Sequence, residues 1–150
     1  MSLKETITEQ VKAAMRARDS ARLATLRFLQ AAIKQKEIDE RKDLVDSDVL
    51  TIIEKQIKQR RESIAAFEQA GRTETADQEK AEVVVLQEFL PQAASDAEVE
   101  AVITAAIEQA RAEGAQGPAV MGKVMASLKL ALAGRAEMSQ VSQRVKTKLS

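Results

Sequence analysis

The fold class of this chain follows from residues 46–71, which read DSDVLTIIEKQIKQRRESIAAFEQAG. Apolar residues recur there every three or four positions, so in a helix they would share one face. The predicted buried stripe consists of Val49, Ile53, Ile57, Ile64 and Phe67. Asp46 or Ser47 should cap the start of this helix and Gly71 should end it, because these residue types favour those positions. The segment therefore predicts one long amphipathic helix.

Helical periodicity extends through the rest of the chain, with two predicted helices before this segment and four after it. The start signals are Ser2 with Glu5, Asp19, Thr75 with Gln78, Ser95 with Glu98, Gly117 with Pro118, and Ser139. The first helix should end near Arg18 with Met15 on its buried stripe, and the second should fray within the charged run 37–43. Only 2% of the residues are aromatic, and strong helix formers abound. We predict an all-α, multihelical fold.

A domain boundary is expected at Pro91. Proline lacks the amide hydrogen that continues a helix, and a new capping signal follows four residues later at Ser95. Residues 91–94 therefore have the character of a linker. We predict a larger N-terminal helical bundle over residues 1–91 and a smaller C-terminal three-helix domain over residues 92–150.

Several classes of chemistry lack their usual residues. The chain has no Cys and no His, which excludes disulfides, thiolate ligands, cysteine nucleophiles and histidine acid–base catalysis. The glycine patterns of phosphate-binding loops, dinucleotide folds and serine hydrolases are also missing. We expect no catalytic residue, no cofactor and no metal site. Neither a secretory signal nor a membrane span is predicted, so the expected location is the cytoplasm, with no membrane partner.

Glu79 and Glu82 could present paired carboxylates, since they are three residues apart on the fourth predicted helix. Without His to complete a carboxylate metal site, a structural role is favoured: acidic residues stabilise the start of a helix and form ion pairs with nearby arginines. The candidate partners are Arg60, Arg61 and Arg72.

Gly122 lies inside the sixth predicted helix, where Gly costs about 1 kcal/mol relative to Ala. Close approach of another helix is the favoured explanation, and close approach of a ligand is the alternative. We therefore expect its surroundings to be crowded.

Charge is partitioned along the chain although the net charge is zero. Residues 1–61 carry a net charge of +4, residues 62–113 of −9 and residues 114–150 of +5. Because local potential steers encounters, both ends could attract a polyanion that the middle would repel. The pattern is typical of a binding protein.

The basic residues form two groups. If the first two helices were collinear, Arg16, Arg27, Lys34 and Arg41 would fall near one azimuth, with Arg18 and Arg22 as an i, i+4 pair beside the break. The C-terminal group consists of Lys123, Lys129, Arg135, Arg144, Lys146 and Lys148. Such clusters suit phosphate contacts, although an ordinary solvated helix face has the same appearance. The scarcity of aromatic residues argues against base stacking on single strands.

Several motifs occur in the order typical of the GatB/YqeY family. They are MRARD at 15–19, IKQRRESI at 57–64, AGR at 70–72, FLP at 89–91, MGKVM at 121–125 and GR at 134–135. The chain resembles the free-standing YqeY-like members, and its C-terminal part resembles the tail domain of the tRNA-dependent amidotransferase B subunit. The resemblance implies an all-helical, two-part module that helps to hold tRNA, while amide chemistry belongs to other domains. One motif departs from the family: Ala136-Glu137-Met138 lacks a Gly, and a turn with positive φ would strain Met138.

The resemblance and the basic ends together suggest a non-catalytic tRNA-binding or tRNA-enzyme accessory module. The candidate phosphate contacts are Lys123, Lys129, Arg135, Arg16, Arg18, Arg22, Arg27 and Lys34. The expected partners are tRNA and a tRNA-charging or amidating enzyme. One alternative is a protein–protein interaction module that docks a translation enzyme, with the acidic middle block providing complementarity. A second is an amidoligase-related activity, a carbon–nitrogen ligase with glutamine as amide donor, for which no nucleophile–base pair is visible.

Overall fold

Seven α-helices and no strand make up the computed structural model, which describes all 150 residues. The helices are α1 (Leu3–Arg16), α2 (Ser20–Glu40), α3 (Asp46–Gln69), α4 (Thr73–Gln87), α5 (Asp96–Ala112), α6 (Pro118–Ala131) and α7 (Met138–Leu149). None of them combines the length and the apolarity that a membrane crossing needs. The all-α prediction is confirmed.

The chain divides into two compact units. Unit 1 comprises Met1–Leu90 with α1 to α4, and unit 2 comprises Pro91–Ser150 with α5 to α7. Each unit has a hydrophobic core built from its own helices.

In unit 1, α1 and α2 lie side by side. The chain turns after α1, where Arg18 adopts a left-handed φ of 55° and Asp19 caps α2 by accepting a hydrogen bond from the Arg22 amide at 3.1 Å. The two helices run back along each other, so that Lys4 near the start of α1 pairs with Glu37 near the end of α2 at 2.7 Å. The prediction of a cap at Asp19 is confirmed.

The first two helices are not collinear, so the condition for a shared azimuth of their basic residues is not met. A non-glycine residue in the left-handed region reverses the chain at Arg18, and the buried residues Val11, Ala14 and Leu26 then pack α1 onto α2. The four basic residues expected at one azimuth are therefore divided between two helices and a C-cap. Arg16 ends α1, Arg27 and Lys34 lie on α2, and Arg41 caps the end of α2.

α3 and α4 form the second helical pair of unit 1, joined by a tight turn at Gly71, whose φ is 73°. The core that they share with α1 and α2 consists of Ile7, Leu29, Ile33, Leu44, Val49, Ile52, Ile53, Ile57, Val83 and Leu86. The predicted stripe of α3 is buried in the first half of the helix. In its last turns, Ile64 and Phe67 are only partly covered.

Met15 is 51% exposed, so its predicted place on the buried stripe of α1 is wrong. The helix turns by about 100° per residue, and Ala14 already occupies the position that faces α2. Met15 therefore points away from the core.

Several predicted helix starts are confirmed. They are the reciprocal capping box of Ser2 and Glu5, the caps at Asp19 and Ser95, and Pro118 as the first residue of α6. The predicted cap of α3 at Asp46 or Ser47 is wrong, because Val45 is the N-cap. The carboxylate of Asp46 instead accepts a hydrogen bond from the amide of Leu3 at 2.9 Å.

Two further helices begin earlier than predicted. The N-cap of α4 is Arg72 rather than Thr75, and that of α7 is Glu137 rather than Ser139. Neither cap makes a side-chain hydrogen bond to the helix backbone. Neither start is therefore fixed by the side-chain capping signal expected from the sequence.

Unit 2 packs α6 against both α5 and α7. Its core residues are Val99, Ile103, Ala106, Ile107, Ala110, Val120, Val124, Leu128, Leu132, Val141 and Val145. The strain expected at Met138 is absent, because Met138 is the first residue of α7 and the left-handed φ after α6 belongs to Gly134, at 72°.

The surroundings of Gly122 are open, which contradicts the expected crowding. A Cβ atom added at Gly122 would meet no atom within 4 Å, and the residue is exposed on α6. Neither a neighbouring helix nor a close backbone approach explains this glycine.

Candidate functional site

The candidate phosphate contacts of unit 1 are mostly free of ion pairs. Arg16, Arg18, Arg27 and Lys34 are all exposed and take part in no salt bridge. Arg22 differs, because its guanidinium lies 2.7 Å from the carboxylate of Glu88 and is only 23% exposed. Four of the five predicted residues in unit 1 can therefore meet an incoming anion without first losing an intramolecular partner.

In unit 2, two of the three candidates are engaged. Lys123 lies 3.3 Å from Glu113, and Arg135 lies 2.5 Å from Glu98. Lys129 is exposed and has no ion pair. Because both Lys123 and Glu113 are about half exposed, solvent screens their attraction and a phosphate could replace the carboxylate.

Two of the remaining members of the C-terminal basic group, Arg144 and Lys148, brace unit 2, whereas the third, Lys146, is exposed and forms no ion pair. Arg144 and Lys148 of α7 both bind the carboxylate of Glu100 on α5, and Arg144 also reaches Asp96. These two cations lower the pKa of Glu100 below its ordinary value, chiefly through their hydrogen bonds to it. This network connects α5 to α7. Four of the six cations in the C-terminal basic group therefore have a carboxylate partner.

Arg27 and Lys34 share one face of α2, since seven residues make nearly two full turns. The side chains along this face are exposed from Ala24 to Ile38. We call it the α2 face. It consists of Ala24, Arg27, Phe28, Ala31, Lys34, Gln35 and Ile38.

Shallow depressions rather than an enclosed pocket accompany this face. One is lined by residues at the end of α2, including Lys34 and Arg41, and the other lies between α1 and α2. Glu37 contributes to both, but Lys4 and the amide of Leu44 already occupy its carboxylate and lower its pKa. The geometry suits contact with an extended surface.

A charged cluster centred on Arg60 was not singled out as a site by the sequence. Its guanidinium forms an ion pair with Glu82 of α4 and lies over the ring of Phe28 of α2, 5.4 Å from the ring centroid. Only 15% of the Arg60 side chain is exposed. Arg60 therefore connects three helices through one planar group. Burial lowers its pKa, and the charge of Glu79 counteracts this effect in part.

Two acceptor atoms near this cluster have no hydrogen-bond donor. They are Oε2 of Glu79 and Oε1 of Gln56, the latter one helical turn before Arg60 on α3. The ion pair of Glu82 with Arg60 confirms the predicted structural partner. The predicted position at the start of the helix is wrong, because α4 begins at Thr73 and Glu79 lies in its second turn. No group of acidic residues is arranged to hold a metal ion.

Comparison with known proteins identifies the family. The family model described as Yqey-like protein matches residues 4–149. This chain belongs to the YqeY-like family. Its membership covers both units and agrees with the motifs distributed along the sequence.

Relatives of this YqeY-like chain carry the name Altered inheritance of mitochondria protein 41, mitochondrial. The relative from Pyrenophora tritici-repentis is 31% identical over 90% of this chain and 74% of its own length. That from Lachancea thermotolerans is 35% identical over 65% of this chain and 54% of its own length, and that from Eremothecium gossypii is 38% identical over 56% and 46%. The chain thus matches about half the length of the latter two.

Proposed function

We propose that this YqeY-like chain is a non-catalytic module that binds tRNA phosphates and serves a tRNA-charging or amidating enzyme. The observation that carries the proposal is the set of exposed, unpaired cations in unit 1. They are Arg16, Arg18, Arg27 and Lys34. None of them must break an ion pair before it contacts a phosphate.

The intramolecular ion pairs change how much each candidate residue is expected to contribute to phosphate binding. Arg22 and Arg135 have well-formed intramolecular partners, so they contribute less to phosphate binding than their sequence positions suggested. Lys129 contributes from unit 2, and Lys123 contributes when it releases Glu113. The proposal therefore centres on α2 and the turn before it.

Phosphate binding has a distinctive salt dependence. Each neutralised phosphate releases counterions, so the logarithm of the association constant falls with the logarithm of salt concentration, by about 0.7 per phosphate on single strands and about 0.9 on duplexes. A protein that binds through two to five cations should therefore bind tRNA measurably at low salt and weakly at physiological salt.

The test is a tRNA titration at several salt concentrations. We expect the double variant Arg27→Gln/Lys34→Gln to bind more weakly and to lower the salt slope by about 1.5. The matched control is Lys12→Gln/Lys80→Gln, which removes the same charge from two exposed lysines that are already ion-paired. Undetectable binding at low salt, or an equal change of slope in both variants, would refute the proposal.

The cellular location is part of the proposal. The sequence predicts the cytoplasm, whereas the names of the relatives from Pyrenophora tritici-repentis and Lachancea thermotolerans include the word mitochondrial. We propose that the module acts wherever tRNA is charged in its own cell. Fractionation with a tagged chain, followed by detection of co-purifying tRNA, tests this point.

A further inference from the structure

We propose that the α2 face binds an unpaired RNA nucleotide, whose base stacks on the ring of Phe28 while Arg27 and Lys34 bind the flanking phosphates. This inference rests on the proposed tRNA binding and names the part of the RNA that unit 1 would contact. It concerns loop nucleotides rather than paired stems.

Phe28 is the accessible aromatic side chain of unit 1. It is 61% exposed, whereas the other two phenylalanines, Phe67 and Phe89, are partly buried. Ala24 and Ala31 lie about one turn before and after Phe28 on the same face. Because these neighbours are small, a planar group can approach the ring without displacing a large side chain.

The ring of Phe28 is held in place from one side. The guanidinium of Arg60 lies 5.4 Å from its centroid, and Arg60 is itself held by the carboxylate of Glu82. Fixing a binding group before the ligand arrives reduces the conformational entropy lost on binding. Phe28 therefore presents a partly ordered aromatic surface to solvent.

Two unpaired cations accompany the ring. Arg27 precedes Phe28, and Lys34 lies seven residues beyond Arg27, which is about 10.5 Å along the helix axis. No carboxylate forms an ion pair with either side chain. Glu37 lies near Lys34, but its carboxylate already accepts hydrogen bonds from Lys4 and from the amide of Leu44, and Asp39 accepts a hydrogen bond from Gln35. The positive charge on both sides of the ring is therefore available to an anion.

An unpaired nucleotide fits this combination better than a duplex or a protein. In A-form RNA the bases are stacked on one another, so only loops, bulges and ends offer a base to an aromatic side chain. A stable protein partner would cover about 800 Å² on each side around an apolar centre. The α2 face has two large apolar residues, Phe28 and Ile38, ten positions apart and separated by a cation. Charge complementarity therefore favours a polyanion with one exposed base.

The experiment uses an RNA hairpin with 2-aminopurine in its loop and a fully paired duplex of the same length. The chain has no Trp or Tyr, so the fluorescence of the probe base is observed without protein background. Phe28→Leu keeps an apolar side chain and removes the aromatic face. Phe67→Leu is the matched control, because Phe67 also has an arginine over its ring, Arg72 at 5.3 Å, but lies elsewhere in unit 1. Urea unfolding checks that both variants are folded.

We expect the wild-type chain to quench the probe and Phe28→Leu to bind the hairpin roughly tenfold more weakly with little change in salt slope, because the variant loses the stacking surface but none of the charges. Its affinity for the duplex should not change, and Phe67→Leu should match the wild type on both RNAs.

Equal hairpin affinity of wild type and Phe28→Leu, or equal losses on hairpin and duplex, would overturn the stacking inference. If Arg27→Gln/Lys34→Gln still loses affinity in that case, the proposed tRNA binding survives. Failure of every variant and of the wild type to bind RNA, with binding of an acidic amphipathic peptide instead, would overturn both and assign the face to a protein.

Discussion

The guanidinium of Arg135 lies 2.5 Å from the carboxylate of Glu98 and connects the segment after α6 to the first turn of α5. Arg135 also donates to the carbonyl oxygen of Gln92 at 3.0 Å, and its own carbonyl oxygen accepts from the amide of Ala94 at 2.8 Å. One residue thus holds the start of unit 2 at three points. A residue predicted to contact phosphate is therefore a structural brace.

If Arg135 is a structural brace, its loss should affect the stability of the protein more than its tRNA binding. Arg135→Gln should lower the free energy of unfolding by about 1 kcal/mol, because it removes two hydrogen bonds from a partly exposed group. Lys129→Gln, which removes an unpaired cation, should leave stability within about 0.5 kcal/mol and lower the salt slope of tRNA binding. Urea midpoints and titrations on the same two variants measure both quantities. The assignment would be wrong if Arg135→Gln were as stable as the wild type and the weaker binder of the two.

Two glycines should respond in opposite directions to Ala. Gly122→Ala should raise the free energy of unfolding by about 0.5–1 kcal/mol, because the position is helical, exposed and open. Gly117→Ala should lower the free energy of unfolding by about 1–2 kcal/mol, because Gly117 has φ 58° and ψ −137°, a backbone conformation that is strained for any residue with a side chain. Thermal unfolding of both variants provides the comparison. Destabilisation by Gly122→Ala would show that the position has a constraint that the open space does not reveal.

Local signals allowed much of the fold to be predicted from the sequence. Ser2, Asp19 and Ser95 cap their helices with side chains a few residues away, and Pro118 opens α6. The start of α3 was missed because Asp46 binds the amide of Leu3, 43 positions away in the sequence. A cap depends on residues a few positions apart, so it can be predicted from their spacing. Whether a distant part of the chain binds the capping side chain instead depends on the tertiary structure.

The candidate site was less predictable for the same reason. Sequence locates each cation but not its partner: Arg22 meets Glu88, which is 66 positions later. Local signals predicted the break between α1 and α2, but the turn at Arg18 contains no Gly, so they did not predict that the chain reverses direction there. The low aromatic content argued against base stacking, but exposure of a single ring, at Phe28, decides whether stacking is possible.

The stability of unit 2 should depend on pH through Glu100. Hydrogen bonds from Lys148 and Arg144 lower the pKa of Glu100 in the folded state. The stabilisation from this pair of contacts is therefore complete above the ordinary carboxyl pKa of 4.5 and is lost as pH falls through the lower folded-state value. Glu100→Gln should flatten the decline of urea midpoints below about pH 4.5. Glu108→Gln on the same helix is the control, and an identical decline in both variants would exclude Glu100 as a contributor.

Arg60 should be the most sensitive charged position in unit 1. Arg60→Met keeps much of the apolar stem but removes the charge from beside Glu82 and Glu79, one oxygen of which is already buried without a donor. Leaving carboxylates in a partly buried site without a counter-charge should cost about 2–4 kcal/mol.

The neighbouring Arg61 provides the control for Arg60. It is exposed and forms no salt bridge, so Arg61→Met should change stability by less than about 0.5 kcal/mol.

A double-mutant cycle of Arg60→Met with Glu82→Gln should give a coupling energy of about 1 kcal/mol or more, because the two groups are in direct contact. Arg60→Met should also release the ring of Phe28 and weaken hairpin binding. Additive effects in the cycle would mean that the ion pair with Glu82 does not account for the stabilisation by Arg60.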